Sequence, residues 1–156
     1  MDRLFMGIAT GLGLGYAPFA PGTFGTMLAL PIHFLISRLP LAWNLGILAA
    51  IIIIAVLSAG AAEKILDRPD PGEVVIDEVA GMLIAMLMIP NHLLAWFLAF
   101  VLFRFFDIVK PWPVSYFDRH LHGGLGIVMD DLAAGLYACG ALQLIWHLLL
   151  RGGVIG

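Results

Sequence analysis

Four long apolar runs, separated by short polar stretches, dominate the chain. They cover approximately residues 24–40, 42–60, 79–106 and 132–150. A helix needs about 20 apolar residues to cross a hydrocarbon core of roughly 30 Å, so the second and fourth runs predict membrane-spanning helices. The first run is shorter and contains Pro31 and His33, which predict a tilted or broken helix.

The runs lack the alternation of apolar and polar residues that is typical of a membrane β-strand. Backbone polar groups in lipid must be satisfied internally, which leaves the α-helix as the element for these runs. The chain has no internal repeat, and its 156 residues suit one domain. The pattern therefore predicts an all-α fold, in which residues 1–156 form a single helical integral membrane bundle.

The third run determines the predicted topology, because acidic and basic residues flank both of its ends. Pro90–Asn91 lies within this run, and proline is poorly tolerated inside a helix. We therefore predict a re-entrant or short helical hairpin around Pro90–Asn91, which returns both ends of the run to the same side of the membrane. Non-helical backbone at that depth must be buried in protein.

The basic residues support the hairpin through the positive-inside rule. With a hairpin, only Arg38 and Arg151 lie outside, whereas without it the two sides carry equal numbers of basic residues. The charges therefore predict a multi-pass protein whose polar motifs face the cytoplasm. The residues predicted on the cytoplasmic side are Arg3, Lys64, Arg68, Arg104, Lys110 and Arg119.

Composition agrees with a membrane protein and narrows the classes of function. The chain is 62% apolar, compared with about 45–50% for soluble domains, and its mean hydropathy is +1.01. Its net charge of −3 argues against a nucleic-acid binder, which would carry a basic patch or stripe. Cys139 is the single cysteine, so an intrachain disulfide is impossible.

Five acidic residues form three islands at the ends of apolar runs: Asp77 with Glu78, Asp107, and Asp130 with Asp131. Charges beside a bilayer are costly, which makes such acids candidates for function. A simpler interpretation is that they stabilise the N-termini of helices. If the hairpin brings the islands together, they predict a site for a hard cation such as Mg²⁺, which is often shared with phosphate.

Basic residues accompany the second island. Arg104, Asp107 and Lys110 follow each other at three-residue spacing, so they share one face of a helix. An interfacial helix with internal ion pairs would show this pattern. The same pattern suits a metal and a phosphate together, because a carboxylate can bind the cation while Arg or Lys binds the phosphate oxygens.

The third island is predicted at the start of the last helix. Successive side chains diverge by about 100° on a helix. Asp130 and Asp131 can therefore share one ion only if the helix begins between them, and otherwise they would bind different ions. Gly81 follows Asp77 by one turn, where it would let another backbone or a ligand approach closely, and Gly135 repeats this spacing after Asp131.

Two further polar residues are candidate substrate ligands, although each has a simpler interpretation. Thr23, in the segment GYAPFAPGTFGT, could cap a helix whose free N–H groups bind phosphate. In the simpler interpretation the segment is a plain loop and helix cap that binds no ligand. His122 could transfer protons or contact the substrate, or it could be a solvated loop histidine. A zinc site at His120 and His122 would need further His or Cys ligands.

Four blocks of this sequence resemble the phosphatidylglycerophosphatase A family: APGTFGT, VIDEVAGM, FRFFDIVKPWPVSYFDR and HGGLGIVMDDLAAG. They occur in the order of the family and extend from about Gly11 to Tyr137. The resemblance implies an all-helical, Mg²⁺-dependent enzyme that hydrolyses phosphatidylglycerol phosphate to phosphatidylglycerol and phosphate. It also implies a location at the cytoplasmic face of a bacterial inner membrane. The acidic motif positions of the family correspond to Asp77, Glu78, Asp107, Asp130 and Asp131.

The resulting hypothesis is metal-assisted hydrolysis of a phosphate monoester. The acidic residues would bind Mg²⁺ or accept a proton from the attacking water, and Lys110, with Arg104 as a second choice, would stabilise charge on the phosphate oxygens. A carboxylate nucleophile is an alternative. A cation or proton transporter subunit with an acid-lined path is the alternative of a different class. It predicts acidic residues near the middle of broken helices, whereas these acids lie at the ends of runs.

Overall fold

Seven α-helices and one short 3-10 helix, Leu14–Tyr16, make up the fold of residues 2–153, which are the residues that this computed structural model describes. This part of the chain contains no β-strand, so the predicted all-α fold is confirmed. The helices are α1 (Asp2–Ala9), α2 (Pro21–Ile36), α3 (Leu41–Leu66), α4 (Ile76–Ala85), α5 (Leu93–Val109), α6 (Val114–His120) and α7 (Gly123–Arg151).

Helices α3 and α7 are long and apolar enough to cross a membrane, as the second and fourth runs predicted. They have 26 and 29 residues, which correspond to about 39 Å and 43 Å at 1.5 Å per residue. The two helices are in backbone contact, because a Cβ atom on Gly124 would lie 2.0 Å from the carbonyl oxygen of Val56. This contact fixes the amino end of α7 against the carboxyl half of α3.

Helices α4 and α5 form the predicted hairpin around Pro90–Asn91. At its turn, the Asn91 side chain donates a hydrogen bond to Ser37 Oγ (2.7 Å), which ties the hairpin to the connection between α2 and α3. At its open end, Arg104 on α5 lies 3.9 Å from Glu78 on α4. The hairpin therefore brings the ends of the third run together, and α4, with 10 residues, is too short to cross a bilayer.

Helix α4 is the centre of the bundle, and its residues from Val79 to Ala85 are all buried. It crosses α7 at two glycines: a Cβ atom on Gly81 would lie 2.6 Å from Asp131 O, and one on Gly135 would lie 2.3 Å from Gly81 O. Asp77 and Asp131 precede these glycines by one turn. The repeated spacing of acid and glycine in the sequence therefore reflects one helix crossing, which brings the two acids together.

The first run was predicted to be tilted or broken, and the break at Pro31 is wrong. Helix α2 continues from Pro21 to Ile36, because the proline removes only one backbone donor and the helix remains packed against α4. The predicted start of the last helix is also wrong. The last helix begins at Gly123 rather than at Asp130. Its first, glycine-rich turn lies directly against α3. The third acidic island is thus roughly two turns inside α7.

Candidate active site

Three carboxylates converge where α4 meets α7. Oxygen atoms of Asp77, Glu78 and Asp131 all lie within 4.8 Å of one another. Asp77 is 8% exposed and Asp131 is 4% exposed. Within residues 2–153, Asp77 Oδ1 and Glu78 Oε2 are buried and accept no hydrogen bond. We call these three residues the acid triad; its charges repel each other and require compensation.

The start of α2 covers the acid triad, and two glycines allow it to come close. A Cβ atom on Gly22 would lie 2.0 Å from Glu78 Oε1, and one on Gly25 would lie 2.7 Å from the Val75 side chain. The block APGTFGT is therefore needed for packing around Glu78. Burial under α2 and the neighbouring Asp131 carboxylate raise the pKa of Glu78 to about 8.

Thr23 does not cap α2, in contrast to the prediction. The helix begins earlier, with Ala20 at the N-cap and Pro21 at the first helical position, where proline is favoured because its φ suits a helix. Thr23 lies in the first turn, and its N–H bonds to Ala20 O (2.9 Å). Ala20 to Gly22 line the cleft around the acid triad, but Thr23 does not.

Arg104 lies beside the acid triad on α5. Its guanidinium donates a hydrogen bond to Asp107 Oδ2 at 2.7 Å and lies 3.9 Å from Glu78 Oε1. The ion pair predicted from the three-residue spacing is therefore present. Asp107 orients the guanidinium from outside the triad, and a planar guanidinium is well suited to bind phosphate.

Lys110 connects α5, α6 and α7. Its ammonium donates hydrogen bonds to Asp130 Oδ2 (2.7 Å) and to Asp118. Burial alone would lower the pKa of Lys110, but these two carboxylates outweigh burial and hold the pKa above its ordinary value. Lys110 also ends α5 with a φ of 47°, in the left-handed region, and the chain reverses there toward α6. The residue therefore remains a cation beside the site.

Asp130 and Asp131 have different neighbours, as expected for adjacent residues on a helix. Asp131 belongs to the acid triad, whereas Asp130 Oδ2 binds Lys110. Asp130 Oδ1 is buried and accepts no hydrogen bond within the described part of the chain. Asp130 thus has one anchored oxygen and one oxygen that can accept a proton or a hydrogen bond.

A cleft of about 260 Å³, which we call the acid cleft, unites most of the predicted site residues. It is lined by the start of α2, the connection from Asp70 to Val74, and three further helices. Exposed His122 lies outside it, at the N-cap of α7. The predicted site residues that line the acid cleft are Asp77, Glu78, Arg104, Asp107, Lys110, Asp130 and Asp131.

Residues 7–146 match the protein family described as Phosphatidylglycerophosphatase A. The chain belongs to this family. The Phosphatidylglycerophosphatase A of Escherichia coli (strain K12) is 40% identical over 143 residues, covering 90% of this chain and 82% of that protein. The protein of the same name from Haemophilus influenzae is 37% identical over 138 residues, covering 84% of this chain and 82% of that protein.

A third relative extends the range of lipids associated with similar chains. It is a Bacteroides thetaiotaomicron protein provisionally named a phosphatidylinositol-3-phosphatase, 39% identical over 138 residues, covering 84% of this chain and 86% of that protein. No solved structure matches the chain. The resemblance of the four sequence blocks to the phosphatidylglycerophosphatase A family is thus confirmed.

In this member of the phosphatidylglycerophosphatase A family, the acid triad fits a hard divalent cation. Carboxylate oxygens are the ligands that Mg²⁺ prefers, and such an ion would compensate three closely spaced negative charges, two of which are buried. The two buried oxygens without a hydrogen-bond partner, on Asp77 and Glu78, are available as ligands. Asp131 provides the third carboxylate of the group.

Sequence reasoning missed two residues of this region. Asp118 binds Lys110 from α6, across a chain reversal that no periodic pattern reveals. Asp70 also lines the acid cleft, although an Asp-Pro-Gly sequence such as the one it begins is typical of a solvated turn. The only signal for Asp118 was its place inside the block FRFFDIVKPWPVSYFDR, and the sequence held no comparable signal for Asp70.

Proposed function

We propose that this protein hydrolyses the terminal phosphate monoester of phosphatidylglycerol phosphate in a Mg²⁺-dependent reaction of phospholipid biosynthesis. The observation that carries the proposal is the acid triad, which shares one cleft with Arg104 and Lys110. Hydrolysis of a phosphate dianion requires carboxylates that bind a divalent metal ion and, beside them, basic side chains that bind the phosphate oxygens. The names of the Escherichia coli and Haemophilus influenzae relatives support this substrate.

Each residue of the acid cleft has a role in this proposal. Asp77, Glu78 and Asp131 would hold Mg²⁺, which when bound supplies charge neutralisation and a more acidic water. Arg104 and Lys110 bind the non-bridging phosphate oxygens, and Asp107 keeps Arg104 oriented toward them.

Proton transfer is assigned to Asp130. Its Oδ2 is anchored by Lys110, while its buried Oδ1 is free within residues 2–153 to accept a proton from the attacking water. The acyl chains of the substrate remain in lipid. The headgroup enters the acid cleft from the end of the bundle where α5 ends and α6 begins.

We further propose that this end of the bundle faces the cytoplasm of a bacterium and that α3 and α7 cross its inner membrane. The excess of basic residues predicted at this end supports that orientation. The transporter alternative accounts less well for Arg104 and Lys110, because cations bound to the acids would oppose the passage of another cation.

Phosphate release by the purified protein in detergent micelles, with Mg²⁺ or with a chelator, tests the proposed function. We expect release from phosphatidylglycerol phosphate with Mg²⁺ only, and a loss of roughly 10²–10³-fold in kcat/KM for Asp131→Asn. Glu73→Gln is the matched control, because Glu73 pairs with Arg68 away from the acid triad. Equal rates for wild type and Asp131→Asn would refute the site, and preference for phosphatidylinositol 3-phosphate would refute the substrate.

A further inference from the structure

A groove of about 330 Å³ lies between α6 and α7. We call it the apolar groove. Among the side chains that line it within residues 2–153, only Tyr137 carries a polar group, and its hydroxyl donates a hydrogen bond to Trp112 O at 2.8 Å. The groove therefore presents hydrocarbon to a ligand. Its lining residues are Pro113, Phe117, Ala133, Leu136 and Tyr137.

The apolar groove adjoins the residues that fix Lys110. Asp118 on α6 and Asp130 on α7 hold the ammonium of Lys110. Phe117 precedes Asp118, and Ala133 follows Asp130 by roughly one turn, so each carboxylate has a groove residue as a near neighbour on its own helix. Helices α6 and α7 therefore carry a charged wall toward the reacting phosphate and an apolar groove beside that wall.

The position of the groove along α7 places it at the depth of acyl chains. Residues 133–137 lie about 5–10 Å beyond Asp130 along the helix axis, in the direction of the far end of α7. This direction leads into the hydrocarbon core, because α7 is one of the two proposed membrane-spanning helices. Leu136 lines the groove and is 64% exposed, so the groove opens to the surrounding lipid.

The small side chain of Ala133 creates the space in the groove. Ala133 is 8% exposed, whereas Leu136 and Tyr137 are 64% and 39% exposed, so Ala133 lies on the inner side of the groove. A larger side chain at this position would occupy the groove itself. The groove therefore depends on one small residue, and a substitution there can fill it.

A lipid substrate has to connect the acid cleft with the hydrocarbon core. In the proposed function its terminal phosphate lies beside Arg104 and Lys110, and its acyl chains leave the acid cleft toward the lipid. The chain reversal from Lys110 to Pro113, where α5 ends and α6 begins, separates the acid cleft from the apolar groove. An acyl chain that emerges at this reversal therefore lies beside the apolar groove.

We propose that the apolar groove holds one acyl chain of the substrate lipid while the phosphate monoester occupies the acid cleft. This role rests on the proposed function. Lipid tails are as apolar as the lining of the groove, so moving a chain from the bilayer into it supplies little hydrophobic free energy. The gain is in orientation, because a chain held in the groove sets how far the headgroup enters the acid cleft, and a well-oriented phosphate reacts faster.

Photocrosslinking identifies the occupant of the apolar groove. The probe is phosphatidylglycerol phosphate with a diazirine in one acyl chain, irradiated with the wild-type protein in detergent micelles. We expect labelled peptides from residues 113–117 and 133–137, and an excess of unlabelled phosphatidylglycerol phosphate should remove most of this labelling. The same excess of phosphatidylcholine should remove little of it, because phosphatidylcholine has no phosphate monoester for the acid cleft.

Substitutions that fill the groove test its effect on the reaction. We expect Ala133→Phe to lose most of the labelling and roughly tenfold in kcat/KM for the lipid, because the headgroup is less well oriented. Leu136→Trp adds bulk at the exposed side of the groove, where folding is less at risk, and should act in the same direction. Gly46→Leu is the matched control and should behave as wild type, because a Cβ atom at this exposed position of α3 meets nothing within 4 Å.

A substrate without acyl chains separates loss of chain binding from damage to the acid cleft. Glycerophosphoglycerol phosphate has the same headgroup, and its kcat/KM should be equal in wild type and in the two groove variants. Equal displacement of the probe by both lipids, wild-type kcat/KM for the lipid in both groove variants, or an equal loss on both substrates would overturn the apolar groove while leaving the phosphatase activity intact. Failure of wild type to release phosphate from phosphatidylglycerol phosphate would instead overturn the proposed function, and the role of the groove with it.

Discussion

Lys110 is held by two carboxylates from different helices, and this arrangement makes its orientation depend on a residue outside the catalytic set. Asp130 contributes one hydrogen bond from α7, and Asp118 contributes the other from α6. A long lysine side chain has many rotamers, so the second partner restricts the ammonium to the edge of the acid cleft. Asp118 is therefore a positioning residue.

We predict that Asp118→Asn lowers kcat/KM for the lipid by roughly tenfold, because Lys110 is less well fixed. The effect should appear mainly in kcat, as should the larger loss of roughly 10²–10³-fold for Lys110→Met, because Asp118 acts through Lys110. Steady-state phosphate release with each variant measures both constants. If Asp118→Asn had the same kcat and KM as wild type, Asp130 alone would be sufficient to position Lys110. The double variant tests coupling, since Asp118→Asn should have no further effect once Lys110 is replaced.

Glu78 gives the metal-free protein a stability that depends on pH. The pKa of Glu78 is raised from 4.5 to about 8 in the folded protein, so the folded state binds more protons than the unfolded state between these values. The free energy of unfolding should therefore fall as pH rises through this window. Mg²⁺ requires ionised ligands, so its stabilising effect should grow over the same window.

Thermal unfolding in detergent at pH 5.5, 7 and 8.5, with Mg²⁺ or with a chelator, measures this dependence. We expect the increase in Tm on adding Mg²⁺ to be smallest at pH 5.5 and largest at pH 8.5. Glu78→Gln removes one titrating group and should reduce the pH dependence of the metal-free protein; part of that dependence should remain, because burial also raises the pKa of Asp77. An increase in Tm that is the same at all three pH values would argue against a metal at the acid triad.

At the scale of the elements, the crossing of α4 and α7 determines where the acids meet. Both helices carry a glycine one turn after an acid, and their backbones touch at these glycines. A side chain on either glycine would separate the helices, and with them Asp77 and Asp131. The site therefore depends on Gly81 and Gly135, which do not belong to it, because neither residue has a side chain that would separate the helices.

Gly135→Ala should consequently affect both stability and activity. Its Cβ atom would lie 2.3 Å from the backbone oxygen of Gly81, which cannot move as a side chain can. We expect the variant to lose about 1–3 kcal/mol in free energy of unfolding, as overpacked cores do, and most of its activity. Gly140→Ala is the control on the same helix, because a Cβ atom there meets nothing within 4 Å. Activity of Gly135→Ala equal to that of Gly140→Ala would contradict the argument.

The elements also show where sequence reasoning succeeds and where it fails. Apolar runs and Pro90–Asn91 were sufficient to predict α3, α7 and the hairpin, because lipid imposes length and burial on each helix separately. The start of α7 was missed because Gly124 becomes helical through contact with α3, which is a tertiary effect. Asp118 was missed for the same reason, since its role exists only after α5, α6 and α7 have packed.

At the scale of the whole molecule, one reversal of the chain produces the site. The hairpin of α4 and α5 returns Arg104 to within 3.9 Å of Glu78, and α7 then adds Asp130 and Asp131. Had residues 79–106 crossed the bilayer as one helix, the acidic islands would lie on opposite faces. The proposed chemistry of the acid cleft therefore requires the hairpin topology, and a measurement of the topology tests both.

Labelling of single cysteines with a membrane-impermeant thiol reagent provides that measurement, after Cys139→Ser removes the native thiol. Lys64→Cys precedes the hairpin, His120→Cys follows it, and Arg38→Cys lies at the opposite end of α3. We expect the cysteines at positions 64 and 120 to react only in inverted membrane vesicles, because one hairpin separates them and returns the chain to the cytoplasmic side. The cysteine at position 38 should react from the other side, since α3 crosses the membrane. Labelling of positions 64 and 120 from opposite sides would separate Glu78 from Arg104 and contradict the acid cleft itself.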